Sequence, residues 1–240
     1  MKVIAVTQHG PNKAENEDRI IVGKTILSSG ILQTELKSGI LAVADGVGGN
    51  NAGAVASHFV ACSLSRLGDL SAEAINAINE ALLDEAKTDA NLSGMATTLS
   101  AVCVGEKVQL AHVGNTRVYS LQNGKYLKQL TIDDTEVNYL VATGQLAPED
   151  ADTYDKRNVI TACMGGGKES YFKLKTADIT SNNSPVLMLT SDGIHEYITM
   201  DDIEDTFDEL GLSVEACDRI IEIARQNGSM DDASILIGVM

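Results

Sequence analysis

The chain reads as an α+β protein in which mainly antiparallel sheets pack together and helices cover them. Two observations predict this. Strand-type apolar runs come in adjacent groups joined by turns too short for anything but antiparallel pairing, and runs with helical periodicity occupy other stretches. A third observation bears on chemistry: four aspartates, Asp18, Asp45, Asp192 and Asp231, each stand at the edge of a strand-type run.

Residues 3–6, behind Met1 and Lys2, form a first strand and are too short a run for a signal peptide. Asp18 precedes the apolar run 19–22. Asp45 closes the run 39–44 and leads into Gly46, Val47, Gly48 and Gly49, a sequence suited to a tight turn. Val55, Phe59 and Cys62 suggest a helix after that turn, and Ile75, Ile78 and Leu82 behind Ser71 suggest another. Residues 98–104, 108–113 and 117–121 are separated by short links and end at Asn123-Gly124, the strongest two-residue hairpin signal; they predict a meander. The segment 141–159 is polar and weakly periodic, a surface excursion of the kind that borders active sites. The run 185–191 ends at Asp192, Thr199 and Asp202 have capping-box spacing, and Cys217, Ile220, Ile221 and Ala224 behind Ser213 predict the last helix. Asp231 stands just before the run 233–238.

With 240 residues, 44% of them hydrophobic and 22% charged, the chain has the composition of a folded globular protein. No Pro/Gly/Ser-rich linker or repeat divides it, so a single domain over 1–240 is expected. Net charge is -16, with 18 Lys and Arg against 34 Asp and Glu, which excludes nucleic-acid binding through a basic face. No apolar stretch is long enough to span a bilayer, so no membrane partner is expected. Cys62, Cys103, Cys163 and Cys217 form no Cys-x-x-Cys pair; reduced core cysteines and a cytoplasmic location are expected.

Strand ends that deliver carboxylates to one region build an all-oxygen site for a hard divalent cation. A glycine beside such a carboxylate lets a backbone carbonyl approach the ion as well. One Asp-Gly pair is usually a plain turn. Here Asp45-Gly46 is joined by Asp192-Gly193, by Asn16-Glu17-Asp18 and by Asp231-Asp232. A phosphate loop at Met164–Glu169 is a poor match, since a Walker A needs a further Gly and a Ser or Thr after the Lys. The four histidines have no ligand spacing, although His9, beside the Gly10 loop, could face the site.

This ordered set resembles the metal-dependent protein phosphatases, the type 2C or PPM family, and in particular its compact bacterial members. The resemblance rests on Gly10 to Asp18, Ala44-Asp45-Gly46-Val47-Gly48-Gly49, Gly94-Met95-Ala96-Thr97-Thr98, His112-Val113-Gly114-Asn115-Thr116-Arg117, Arg157-Asn158-Val159-Ile160-Thr161, Leu189-Thr190-Ser191-Asp192-Gly193 and Gly228-Ser229-Met230-Asp231-Asp232, in that order along nearly the whole chain. It implies a four-layer α/β/β/α sandwich, two mainly antiparallel sheets flanked by helices, with a flap-like excursion at 141–159. It also implies two Mg²⁺ or Mn²⁺ ions: Asp45 would bridge them, the Gly46 carbonyl would bind one, Asp192 and Asp231 would hold the other, and Asp18 would act directly or through a water. The implied reaction is hydrolysis of phosphoserine and phosphothreonine in proteins by a metal-bridging hydroxide, opposite a Ser/Thr kinase in signalling. The competing expectation is a phosphatase-like regulatory or binding module with little or no turnover.

Four positions depart from the family pattern. Lys13 stands at the phosphate-binding arginine and keeps the charge without the two-pronged grip. Asn115 replaces an aspartate associated with a third metal, so a third ion is not expected. Ala162 stands where bacterial relatives often have Arg, and Asp232 replaces an Asn, adding negative charge beside Asp231.

Overall fold

The computed structural model describes residues 1–47, 52–166, 171–180 and 185–240. The Gly48-Gly49 turn and the end of the 164–169 loop lie outside the described residues. Strands β1 (Lys2–Gln8), β2 (Asp18–Val22), β3 (Thr25–Leu27), β4 (Gly30–Glu35) and β5 (Gly39–Val47) precede helices α1 (Ala52–Leu64) and α2 (Ala72–Glu85). Five strands follow: β6 (Ala96–Thr97), β7 (Leu99–Val104), β8 (Val108–Val113), β9 (Arg117–Gln122) and β10 (Tyr126–Gln129). After α3 (Glu136–Ala142) come β11 (Met164–Gly165), β12 (Lys175–Asp178) and β13 (Val186–Thr190). The chain ends with α4 (Asp192–His195), α5 (Met200–Leu210), α6 (Val214–Gln226) and β14 (Ala233–Val239).

These strands make two sheets, and every pairing among the described residues is antiparallel. One runs β10-β9-β13-β14-β1-β4. The other runs β3-β2-β5-β7-β8-β12, and the far end of β5 pairs β6, which pairs β11.

Side-chain alternation explains why the sheets stack. In β1, Val3 and Ala5 point between the sheets while Ile4 and Val6 point to the helices of the first layer. In β5, Leu41 and Val43 join the same inter-sheet core, and Ile40 and Ala42 face α1 and α2. Strands buried on both faces read as continuous apolar runs rather than alternating ones. Three apolar layers result: α1 and α2 on the second sheet, α4 to α6 on the first, and a core between the sheets. This is the expected α/β/β/α sandwich.

The helix boundaries follow their caps. Ser71 and Ser213 accept from the backbone of Ala74 and Ala216, and Thr199 and Asp202 form the capping box. In α1 the buried face is Ala52, Ala56, Val60 and Leu64, whereas Val55 is 40% exposed.

The expected meander is corrected. β7 and β8 pair in the second sheet, but β9 and β10 belong to the first. The link at residues 114–116 carries the chain across the sandwich. Gly114 adopts φ +100, a backbone open to glycine, and a Cβ there would fall 2.7 Å from Thr98. The free edge of β8 is taken by β12 instead. The Asn123-Gly124 turn forms as expected, with φ of 53 and 70 at its two centres.

Candidate metal centre

The two sheets bring their acidic strand ends to one place. Asp18 and Asp45 are direct partners in the β2–β5 register. Asp192 starts α4 immediately after β13, and Asp231 lies in the turn before β14. The charges of Asp192, Asp18 and Asp231 all bear on Asp45, and the Asp45 and Asp192 carboxyls share a hydrogen bond. All four predicted aspartates therefore converge, with Lys13 beside them.

Backbone geometry around Asp45 is tightly held. Thr98 N donates to its carbonyl at 2.8 Å, Thr97 Oγ1 donates to the same carbonyl at 2.9 Å, and Asp45 N donates to Thr98 Oγ1 at 3.2 Å. Gly46 presses on the start of α1: a Cβ there would sit 2.2 Å from the Gly53 carbonyl oxygen. Only glycine fits that approach.

Asp18 is fully buried. Its Oδ2 accepts from Ser191 Oγ and Ser234 Oγ, each at 2.7 Å, while Oδ1 has no partner among the described residues. Burial pushes its pKa up to about 7, against the lowering pull of the two serine hydroxyls. Burial, then the charges of Asp192, Asp18 and Asp231, hold Asp45 well above the usual carboxylate range. Asp192 is raised by burial and by Asp231, and is opposed by a hydrogen bond from Asn115 Nδ2 at 2.9 Å.

Lys13 brings an ammonium into the cluster. Its Nζ contacts Asp231 and lies 3.0 Å from Asp232 Oδ2 and 3.4 Å from Glu17 Oε2. Burial pulls the Lys13 ammonium down, but bonds to Asp231 and Asp232 outweigh it and keep its pKa above the ordinary value. Two of the departures from the family pattern thus touch each other. Asp232, 1% exposed at its side chain, also accepts from Gly10 N at 2.9 Å and Glu17 N at 2.8 Å. It clamps the 10–17 loop that carries Lys13. His9 is exposed, and its ring bonds the Gly10 carbonyl rather than facing the carboxylates.

A second group of possible ligands, Asp133, His195 and Glu196, comes within 4.8 Å. Arg117 already occupies it: Nε and Nη2 lie 2.9 and 2.7 Å from Asp133 Oδ2, and Nη2 lies 3.9 Å from Glu196. The guanidinium supplies the positive charge there. A cleft of about 600 Å³ adjoins it, bordered by Arg157 and Ala151 of the polar excursion.

The residues present fit hard divalent ions. The donors are carboxylates and a backbone carbonyl, the crowded carboxylates raise each other's pKa, and one buried carboxylate oxygen of Asp18 has no other partner. The Lys13 ammonium and the Arg225 guanidinium, which bonds the Asp231 carbonyl, are too little charge for six clustered acids, Glu17, Asp18, Asp45, Asp192, Asp231 and Asp232. Sequence reasoning missed Thr7, Ser191 and Ser234. Their signal was a hydroxyl at the end of, or inside, an otherwise apolar buried run.

Two packed antiparallel sheets with an acidic centre at their strand ends define the architecture of the type 2C protein phosphatases. The family model described as Protein phosphatase 2C matches residues 4–138, more than half of the chain, and the chain belongs to that family. It is 30% identical over 248 residues to the serine/threonine protein phosphatase PstP of Mycobacterium tuberculosis, covering 99% of this chain and 44% of that protein. It therefore spans under half the length of that relative. It is 29% identical to the serine/threonine phosphatase Stp of Listeria innocua, covering 96% of this chain and 92% of Stp. The catalytic domain of PstP, solved in complex with 2 manganese ions, superposes with a TM-score of 0.74 at 28% identity, covering 100% of this chain and 99% of that one.

Proposed function

We propose that the chain is a metal-dependent serine/threonine protein phosphatase that hydrolyses phosphoserine and phosphothreonine in proteins. The observation that carries the reading is the cross-strand pairing of Asp18 with Asp45 at the point where Asp192 and Asp231 arrive from the other sheet. Asp45 and the Gly46 carbonyl, with Asp192 and Asp231, would hold two Mg²⁺ or Mn²⁺ ions, and Asp18 would contribute Oδ1 directly or through a water. When bound, such a pair supplies Lewis-acid activation of water and neutralises phosphoryl charge. A third ion is not part of the proposal, because Asn115 presents a donating amide to Asp192 rather than a further carboxylate.

The chain's own residues do the rest. Lys13 offers an ammonium to a phosphate oxygen at the open side, where Asp231 is 44% exposed. Thr97 and Thr98 hold the Asp45 backbone, and the serine hydroxyls beside Asp18 donate to it and are not free to attack phosphorus. Residues 1–240 form one phosphatase domain in this reading, with 141–159 as a flap; Arg157 of that segment lies 3.6 Å from Glu196. The same reading includes a cytoplasmic role in signalling, because phosphoserine and phosphothreonine substrates exist where an opposing kinase makes them.

A phosphothreonine peptide supplied with Mn²⁺ should release phosphate, and EDTA should stop it. Asp192→Asn should lose at least about a hundredfold in turnover. A background rate that neither EDTA nor Asp192→Asn alters would mark a phosphatase-like binding module instead.

A further inference from the structure

The hydroxyls around Asp18 form a directed ring. Ser191 Oγ and Ser234 Oγ each donate their single proton to Asp18 Oδ2. Ser234 Oγ can then only accept from Thr7 Oγ1, at 2.7 Å, so Thr7 is the donor. Thr7 in turn accepts from Asn16 Nδ2 at 2.8 Å, and Asn16 Oδ1 accepts from the backbone N–H of Asp18 at 2.9 Å. Ser191 Oγ accepts from Ser234 N at 2.9 Å. The path starts at the Asp18 N–H and ends on the Asp18 carboxylate.

Every hydroxyl in this ring belongs to the first sheet or its edge, whereas Asp18 belongs to the second. Thr7 and Ser234 are register partners on β1 and β14, and Ser191 follows β13. Thr7, Asp18, Ser191 and Ser234 are all fully buried, so no water competes for these protons. Two donors saturate Oδ2 and leave Oδ1 buried with no partner among the described residues.

We propose that Ser191 and Ser234, with Thr7 and Asn16 behind them, are positioning residues that orient Asp18 for cation binding and couple the geometry of the metal centre to the packing of the two sheets. The inference rests on Asp18 serving the metal centre. Hydrogen bonds to the unused oxygen of a ligating carboxylate fix its direction and typically change metal affinity about 10–100-fold.

Isothermal titration with Mn²⁺ alone tests it, without turnover as the readout. Ser191→Ala and Ser234→Ala should each weaken the tightest Mn²⁺ step by about tenfold or more. Ser234→Thr, which keeps the hydroxyl, should stay within about threefold of the wild type. Thr7→Val, isosteric and out of reach of Asp18, should weaken binding in the same direction by a smaller factor, and it covers the case in which a serine variant fails to fold. Unchanged Mn²⁺ affinity in Ser191→Ala, Ser234→Ala and Thr7→Val would overturn the proposal, as would Ser234→Thr losing as much as Ser234→Ala. Asp18→Asn separates the two levels. If it leaves Mn²⁺ binding intact, the ligand role of Asp18 fails; if it weakens binding while the serine variants do not, only the positioning role fails.

Discussion

Asp18 and Asp45 face each other as direct partners across the β2–β5 ladder. Like charges opposite one another weaken a sheet, and burial magnifies the cost. The pairing stands against folding in the metal-free chain, and in the proposed reading bound cations would offset it, so the site and the fold pull in opposite directions. Asp45→Asn is therefore expected to raise the melting temperature in EDTA by a few degrees, equivalent to about 1 kcal/mol or more. It should also abolish the additional rise that Mn²⁺ gives the wild type. Thermal unfolding with and without Mn²⁺ checks both halves, and a variant less stable than wild type in EDTA would contradict the account.

Lys13, the proposed phosphate ligand, is held by three acidic neighbours. Its charge is shared among Asp231, Asp232 and Glu17; in the proposed role as phosphate ligand it would contribute more to binding substrate than to the chemical step. Lys13→Met should raise KM for a phosphopeptide by about 3–10-fold and leave kcat within about the same factor. Steady-state kinetics at saturating Mn²⁺ distinguishes this from a collapse of kcat at unchanged KM.

Arg117 and Asp133 form the best-made ion pair near the site, two-pronged and mostly withdrawn from water. Removing the guanidinium leaves the buried Asp133 carboxylate with Gln129 Nε2, 3.2 Å from Oδ1, as its one remaining side-chain donor among the described residues. Arg117→Gln should cost about 3–5 kcal/mol, or roughly 10 °C in melting temperature. Exchanging it for lysine should cost part of that, because lysine cannot reproduce the fork. A loss below about 1 kcal/mol for the glutamine variant would show that Gln129 and the new amide satisfy Asp133 without the guanidinium.

His195 is held neutral in the folded protein: burial pushes its pKa well below 6.5, and the charge of Arg117 adds to this. The unfolded chain takes up a proton at this residue below about 6.5 and the folded chain does not. The contribution is thus intact above pH 6.5 and lost as pH falls toward the folded value, with a limiting slope of about 1.4 kcal/mol per pH unit. His195→Gln, which can still bond Thr190, should flatten that slope. Urea unfolding at pH 7.5 and 5.5 should show the wild type losing about 1 kcal/mol more than the variant; parallel losses would rule out His195 as the titrating group.

The legible part of this protein was local. Ser71, Ser213, Thr199 and Asp202 announced helix starts because a cap is a contact within one turn of the chain. Asn123-Gly124 announced a hairpin because its positive φ angles are a property of those two residues. β9 was misplaced for the opposite reason. A three-residue link can close a hairpin or cross to a facing sheet, and the choice depends on β12 and β13 arriving from far along the chain. The aspartates were found because each sits at the edge of an apolar run. Ser234 and Thr7 were not, since a lone hydroxyl in a strand looks the same whether it bonds a carboxylate or the backbone.

By itself the sequence determined the capped helix starts, the longer apolar strand runs and the identity of the acidic residues at their edges, all of which follow from periodicity and turn chemistry over a few residues. Tertiary structure alone decided that Lys13 meets Asp232 and that Ser234 turns its proton toward Asp18, a residue 216 positions away. Those contacts exist only once two independently patterned sheets lie face to face. The free energy that brings the sheets together is that of the apolar core between them, and the polar site takes its geometry from where that packing leaves the strand ends.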